Sequence, residues 1–332
     1  MFEMVEEAGS PAVYLVGVGD AGCDAVRAVR DAGTLGVARY VLIDESIAVS
    51  CPGQLGEGFK FMSEGAVVAT SAIPNGQRRA DGGVQLVSDR VPELRGQVEE
   101  AMRSGEIILV VLDMRDPGNG AVARQVAEAA RREAAIVLGV AVLPPDTADS
   151  HREAVAQVSA LIEDGLATIA VPDNVLPGRS SREGGDEHGL DGIASVLLES
   201  HACVARGLVS PSLWGSVFQD VRVFLLGGGR CFMGWGTASG ADRARRAVEE
   251  AIAHPLLGMP ALLTAGSLLV CVRARSGQLR EDEAREVMRT LQAVAGRGAR
   301  IVVSAQYDDA MGDALRVSIL ARDQSQRSRA LQ

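Results

Sequence analysis

The chain has 332 residues, 47% of them hydrophobic, 23% charged and only 3% aromatic, with a net charge of -10. That length allows two compact domains with cores filled by Val, Leu, Ile and Ala, and the acidic balance argues against a general nucleic-acid binder, which needs a basic face for phosphates. Lys60 is the only lysine and lies in Gly58-Phe59-Lys60-Phe61, so a Walker-type phosphate loop, which ends in Gly-Lys-Ser/Thr, is also excluded.

Residues 1–10, with Glu3, Glu6 and Glu7, read as a loose acidic arm. Ala12 to Val16 reads as a buried strand, Gly17 to Gly22 as a tight turn, and Cys23 to Ala32 as a helix. Strands follow at Arg39 to Ile43 and Glu106 to Leu112, a helix at Ala121 to Glu133, and a strand at Ile136 to Leu143. Ser150-His151-Arg152-Glu153 has the spacing of a capping box and opens a helix, after which Thr168 to Val171 returns as a strand. Strands alternating with helices predict an α/β fold with a parallel, Rossmann-like sheet.

Asp173 to Gly189 reads as an exposed loop and Leu190 to Leu208 as one long helix. The pattern then restarts: a strand near Val221 to Leu225, a helix at Ala241 to Ala253, a strand at Leu268 to Val272, a helix at Glu281 to Ala295, and strands at Ile301 to Ala305 and Leu315 to Ala321. The expected division is a nucleotide-binding-like domain over 11–189, a central helix over 190–209, a smaller mixed α/β domain over 210–323 and a short tail over 324–332.

Strand, Gly17-x-Gly19-x-x-Gly22, then helix is a phosphate-cradling pattern, because glycines let backbone N–H groups approach an anion favoured by the helix dipole. With Asp44 about 20 residues further on, the pattern by itself fits a dinucleotide site with Asp44 on a ribose hydroxyl, or a plain tight turn. Five cysteines (Cys23, Cys51, Cys203, Cys231, Cys271) without a C-x-x-C pair or a preceding signal peptide read as free thiols in a reducing cytoplasm. His151, His188, His201 and His254 have no ligand spacing, so no metal site is expected, and no apolar run is long enough to span a bilayer.

Phe218-Gln219-Asp220-Val221-Arg222 is followed by Met233-Gly234-Trp235-Gly236-Thr237-Ala238-Ser239-Gly240-Ala241-Asp242-Arg243-Ala244, then by Ala251-Ile252-Ala253-His254-Pro255-Leu256-Leu257. These segments, with Asp308, Met311, Asp313, Leu315, Arg316, Val317 and Ala321, resemble the FtsZ pattern of the FtsZ/tubulin superfamily over roughly residues 12 to 322. The resemblance implies a nucleotide domain joined by a central helix to a C-terminal domain. It also implies head-to-tail assembly, in which a C-terminal loop of one subunit completes the GTP site of the next.

Position by position, the resemblance implies that the nucleotide machinery has decayed. The family's glycine loop becomes Gly19-Asp20-Ala21-Gly22-Cys23-Asp24-Ala25, and its Asn-Thr-Asp becomes Asp44-Glu45-Ser46. Its signature loop becomes Asp113-Met114-Arg115-Asp116-Pro117-Gly118-Asn119-Gly120-Ala121-Val122, with aspartates where phosphate would lie and a proline that lacks an N–H. The base-reading positions become Leu190 and Ala194, and the catalytic loop becomes Gly215-Ser216-Val217-Phe218-Gln219-Asp220.

Asp220 is thus the vestigial catalytic candidate, or a turn residue before the strand at Val221. Gly17, Gly19, Asp20, Gly22, Asp24, Asp44, Gly118 and Gly120 would contact a nucleotide if one binds. The expected cofactor is none, or GTP or GDP if any. Gly234, Gly236 and Gly240 read as fold residues in turns and close packing, Asp308 and Asp313 as turn and capping residues, and Trp214 and Trp235 as packing residues or, alternatively, interface anchors.

The leading expectation is a cytoplasmic FtsZ-like pseudo-GTPase that self-associates or modulates FtsZ-type filaments, with no nucleic acid and no direct membrane anchor. The alternatives are an atypical GTP-hydrolysing filament protein and a dinucleotide-binding oxidoreductase.

Overall fold

A computed structural model describes residues 11–34, 36–44, 66–69, 102–103, 105–116, 118–146, 149–175, 192–206, 212–214 and 218–323. The acidic arm, Glu45, Ser46, Lys60, Pro117, most of the 173–189 loop, Leu190, Gly215 to Val217 and the tail lie outside these residues.

The first half runs β1 (Val13–Val18), α1 (Gly19–Asp31), β2 (Arg39–Asp44), β3 (Ala66–Ala69), β4 (Ile107–Asp113), α2 (Asn119–Arg132), β5 (Ile136–Leu143), α3 (His151–Glu163) and β6 (Ala167–Pro172). Then come α4 (Gly192–His201), a π-helical turn (Ala202–Arg206), β7 (Ser212–Trp214), α5 (Phe218–Leu226), β8 (Arg230–Ser239), α6 (Arg243–Ala253), α7 (Gly258–Thr264), β9 (Ala265–Ala274), α8 (Glu281–Val294), β10 (Arg300–Tyr307), a 3-10 turn (Asp309–Met311) and β11 (Ala314–Asp323).

All strands join one 11-stranded sheet in the order β3-β2-β1-β4-β5-β6-β8-β11-β9-β10-β7. From β3 to β8 every pairing is parallel; β11 is antiparallel to both β8 and β9. Apolar side chains alternate across β1: Val13 and Leu15 enter a core shared with α1, α4 and α5, while Tyr14, Val16 and Val18 enter one shared with α2 and α3. Burial on both faces is what continuous runs such as Ile107–Asp113 signal.

Gly234 and Gly236 lie on one face of β8 beneath α6. A Cβ at either would stand 2.3 Å from a helix carbonyl, that of Ala251 or Ala247 respectively. The Gly-x-Gly and the small residues Ala247 and Ala251 therefore let a helix backbone lie directly on a strand. Gly240, at φ +78°, makes the turn that follows. Asp308 caps the 3-10 turn by accepting from the Ala310 N–H at 3.2 Å, and half-buried Trp235 packs its ring 3.9 Å from that of His254.

Four expectations are corrected. The run Val221 to Leu225 is helical, because Val221, Phe224 and Leu225 at i, i+3 and i+4 are buried while Val223 and Leu226 are exposed; a short apolar run does not itself distinguish the two periods. Asp220 accordingly lies inside the first turn of α5 rather than before a strand. Helix α1 starts at Gly19, absorbing half of the expected glycine turn. Ser150 starts α3 in helical geometry without a side-chain cap, so the capping box is not formed.

Helix α4 is fastened to the C-terminal strands by buried charge. Glu199 is fully buried and accepts from Arg316 Nη1 at 3.0 Å, and from the Arg273 guanidinium and the Ser318 hydroxyl. Arg316 also donates to Thr237 Oγ1 at 2.8 Å, and Arg273 lies 3.9 Å from Asp308. The two arginines and two carboxylates cancel in charge. Past them the π-helical turn frees the Ala202 carbonyl, which accepts from Gln306 Nε2 at 3.2 Å.

Burial alone would raise the Glu199 pKa, but Arg273 and Arg316 outweigh it and hold the group below its ordinary value. Glu199→Ala should cost about 3–5 kcal/mol in urea denaturation, because it strands two buried guanidiniums. Replacing Glu199, Arg273 and Arg316 together by Leu, Met and Met should cost much less. The unfolded chain takes up the proton first, so the wild type should lose the Glu199 contribution as pH falls below about 4.3, a loss the triple variant lacks.

Candidate functional site

From β1 the chain moves outward to β2 and β3 on one side, and from β4 to β5 and β6 on the other. The carboxyl ends of β1 and β4 therefore flank the crevice in which open α/β sheets bind ligands. Helices α1 and α2 begin there, each pointing unsatisfied N–H groups and a partial positive charge into it.

The three glycines of the first turn are set by packing. A Cβ on Gly17 would stand 2.4 Å from the Gly22 carbonyl oxygen, and one on Gly22 would stand 2.6 Å from that of Val111, so both seat α1 on the sheet. Gly19 has φ +74°, and a Cβ there would meet Asn119 Nδ2 at 2.4 Å and Asp113 Cβ at 2.9 Å. Its bare backbone is what lets Asp113 reach the start of α1.

Asp113, 4% exposed at the end of β4, accepts from the Ala21 N–H at 3.0 Å. Arg115 wraps the same carboxylate, donating from Nε to Oδ1 and from Nη2 to Oδ2, both at 2.8 Å, while its Nη1 reaches Asp173 at 3.5 Å. Asn119 Nδ2 holds the Asp113 carbonyl at 2.8 Å. Burial alone would raise the Asp113 pKa, but hydrogen bonds from Arg115 and Ala21 bring it below the ordinary aspartate value. Helix α2 has a parallel arrangement: Asp116 accepts from the Gly118 N–H at 2.8 Å, one residue before the helix begins. Each helix start thus carries a carboxylate of this same chain.

The other candidates are placed as follows. Asp20 is exposed in the first turn of α1, and Asp24 is exposed one turn on, paired with Arg27 at 3.0 Å. Asp44 closes β2 beside Ala69 of β3. Gly118 precedes α2, and Gly120 is buried where a Cβ would meet Gln157 Oε1 at 2.1 Å, so it seats α2 against α3. Asp220 stands apart from this group. It pairs with Arg300 at the start of β10, on the edge of the sheet opposite the crevice. Among the described residues, no group of three or more His, Cys, Asp or Glu is arranged to hold a metal ion.

Asp113 enters the sequence reading only as a charge that would repel phosphate. Its bond to Ala21 joins residues 92 apart, a contact that no local pattern announces.

Residues 229–324 match the model of the FtsZ family, C-terminal domain. The cell division protein FtsZ of Neisseria gonorrhoeae is 27% identical over 328 residues, covering 97% of this chain and 80% of that one. The chain is thus similar to FtsZ over most of its length, with an FtsZ-type C-terminal domain at residues 229–324. Solved structures agree on the fold. An empty FtsZ dimer from M. jannaschii superposes with a TM-score of 0.73 at 18% identity, covering 96% of this chain and 90% of that one. A GTPγS-bound CetZ2 protofilament from Haloferax volcanii gives 0.65 at 17%, covering 96% of each.

The conserved part of the FtsZ pattern in this chain, Met233 to Ala244 with Ala251 to Leu257, is β8, the start of α6 and the turn after it, which is helix-on-strand packing. Its divergent part is the crevice. Gly19→Ala should lower stability by about 1–3 kcal/mol, read as a drop in the thermal midpoint, since the new Cβ needs a left-handed backbone and displaces Asn119 and Asp113 together. An unchanged midpoint would mean that the Asp113 contact is not fixed by this glycine.

Proposed function

We propose that this FtsZ-like protein is a pseudo-GTPase whose role is assembly: it self-associates or joins FtsZ-type filaments in the cytoplasm and modulates them, without efficient GTP turnover. The observation that carries this reading is the buried Asp113 carboxylate at the start of α1. The N–H group that would meet a phosphate in a nucleotide-binding relative is bonded within the chain to an anion already neutralised by Arg115. A triphosphate entering the crevice would add its charge beside Asp113 and Asp116. Unit like charges about 4 Å apart cost about 1 kcal/mol in bulk water and about 4 at an effective dielectric near 20.

The support for self-association is geometric. Asp220, the one carboxylate kept from the family's catalytic loop, and the crevice lie at opposite edges of one sheet. They can meet only between two copies stacked along the strand direction; one solved structure of similar fold, CetZ2 of Haloferax volcanii, is described as a protofilament. On this reading residues 11–189 form the nucleotide-type domain and 210–323 the part that meets the next subunit.

A second reading, an atypical GTP-hydrolysing filament protein, is favoured by one observation. Arg115 is 37% exposed and already spans two carboxylates, so it has the reach to transfer to a phosphate.

Protein stripped of nucleotide by denaturation and refolding should give no binding heat with GTP up to millimolar concentration. It should still self-associate, or pellet with an FtsZ polymer, at micromolar concentration. Micromolar GTP affinity, with turnover lost in Asp220→Ala, would establish the second reading instead. Absence of both self-association and FtsZ binding would remove the assembly role.

A further inference from the structure

The crevice and the edge that carries Asp220 differ in the sign of their charge. Of the charged side chains described at the crevice, Asp24 is paired with Arg27. That leaves the exposed Asp20, Asp116 and Asp173 and the buried Asp113 beside Arg115, four carboxylates to one guanidinium. The two helix starts return only about half a positive unit each, so the mouth of the crevice is anionic.

At the other edge the sign is reversed. Arg300 takes up the Asp220 carboxylate, and the Asp220 side chain is 24% exposed against 58% for Arg300. Beside the pair is a cleft of about 210 Å³ lined by Asp220, Arg300, Ser267 and Arg322 above Leu268 and Leu269. Arg322 is buried there and donates to Ser267 Oγ at 3.1 Å. Two guanidiniums outweigh one carboxylate in this cleft, and the group it offers to solvent is the guanidinium of Arg300 rather than the carboxylate of Asp220.

Within one copy these surfaces cannot touch. In the sheet order β10 is seven strands from β1, about 33 Å at the usual strand spacing, and Arg300 opens β10 whereas the crevice lies past the end of β1. A contact between Arg300 and a crevice is therefore a contact between two copies. Copies of net charge -10 repel one another on average. A bare Asp220 brought to a crevice that already holds Asp113 and Asp116 would add to that repulsion, and Arg300 turns it into attraction. A guanidinium has five N–H donors, so Arg300 can keep Asp220 and still bond a second carboxylate, as Arg115 does with Asp113 and Asp173. Asp116 is suited to be that second carboxylate, because it is exposed and its hydrogen-bond partner is the Gly118 N–H rather than a guanidinium.

We propose that Arg300 of one copy enters the crevice of the next and pairs there with Asp116, with Asp20 and Asp173 beside it, while keeping its bond to Asp220. The inference rests on the assembly reading of the preceding subsection and names the groups that carry it. Two copies of this chain are joined by an ionic contact in the crevice, and the joint forms without a nucleotide.

Sedimentation velocity of the full-length, nucleotide-stripped protein at low salt tests this joint. Self-association should weaken at least about tenfold in Arg300→Glu and in Asp116→Arg, and added salt should weaken it in the wild type. An equimolar mixture of the two variants should recover most of the association, and so should the double variant Arg300→Glu/Asp116→Arg; recovery is a result that damage to folding would not give. Millimolar GTP should leave the wild type unchanged. Association of both single variants at wild-type strength would overturn the joint and leave the assembly reading standing, as would loss without recovery in the mixture. A requirement for GTP would overturn it in favour of the GTP-hydrolysing reading. A wild type that does not self-associate would also overturn it, and FtsZ binding would then decide the assembly reading by itself.

Discussion

The charges sealed beneath α4 set the position of much else. Glu199 can keep both carboxylate oxygens satisfied only where Arg316, Arg273 and Ser318 converge, and moving α4 would leave guanidiniums stranded out of water. A buried ion cluster of this kind adds little net stability over apolar packing but penalises every other register heavily. Along the same helix, Ala194, Val196 and Leu197 pack in the core that holds Val26 and Val29 of α1. The quartet thus locates α4, α4 bears on α1, and α1 presents the Ala21 N–H to Asp113. The buried charges of the C-terminal strands and the crevice at the switch between β1 and β4 belong to one mechanical chain.

At the crevice, helix physics asks for negative charge whether or not a ligand exists. Each helix start carries a partial positive charge of roughly half an elementary unit and several unpaired N–H groups. Val18 precedes α1 and has no side chain able to cap it. Asp113 supplies that cap from a different strand, and Asp116 supplies the one for α2. Caps of this kind contribute about 0.5–2 kcal/mol each. The aspartates that look like losses when set beside a glycine-rich phosphate loop therefore also supply negative charge that the two helix starts favour.

What was legible in the sequence follows from range. Ile136 to Leu143 is a strand at the expected residues, and most other strands lie within two or three residues of expectation, because runs of β-branched residues bounded by Gly, Asp and Pro are local signals. The packing role of Gly234 and Gly236 was legible through the motif around them. Asp113 was not, since its partner is 92 residues away. Val221 to Leu225 misled because five successive residues, four of them apolar, fit either period, and only the exposure of Val223 and Leu226 separates them. Ser150 misled for a subtler reason: the capping-box spacing is present, but its backbone is already helical at φ -72° and ψ -12°, outside the extended geometry that aims a cap side chain at the helix.

The two readings of the crevice differ in what they ask of Arg115. For a nucleotide to take the α1 N terminus, the Asp113 carboxylate must leave the Ala21 N–H, and it can swing little because Asn119 grips its backbone carbonyl. Arg115 must then exchange a bidentate, mostly buried carboxylate for phosphate oxygens while Asp113 stays nearby, ionised and half-compensated. Asp113 competes as a tethered group, so its effective concentration at the helix start is at least millimolar before any gain from its fixed orientation. A diffusing nucleotide has to exceed that advantage and the added like-charge repulsion with contacts elsewhere. Ala194, where the resemblance would put a base-reading side chain, is fully buried in the core and has no polar group to offer. Asp113, Arg115, Ala21 and Asn119 satisfy one another, so the balance of charge and hydrogen bonding favours a crevice that holds itself together.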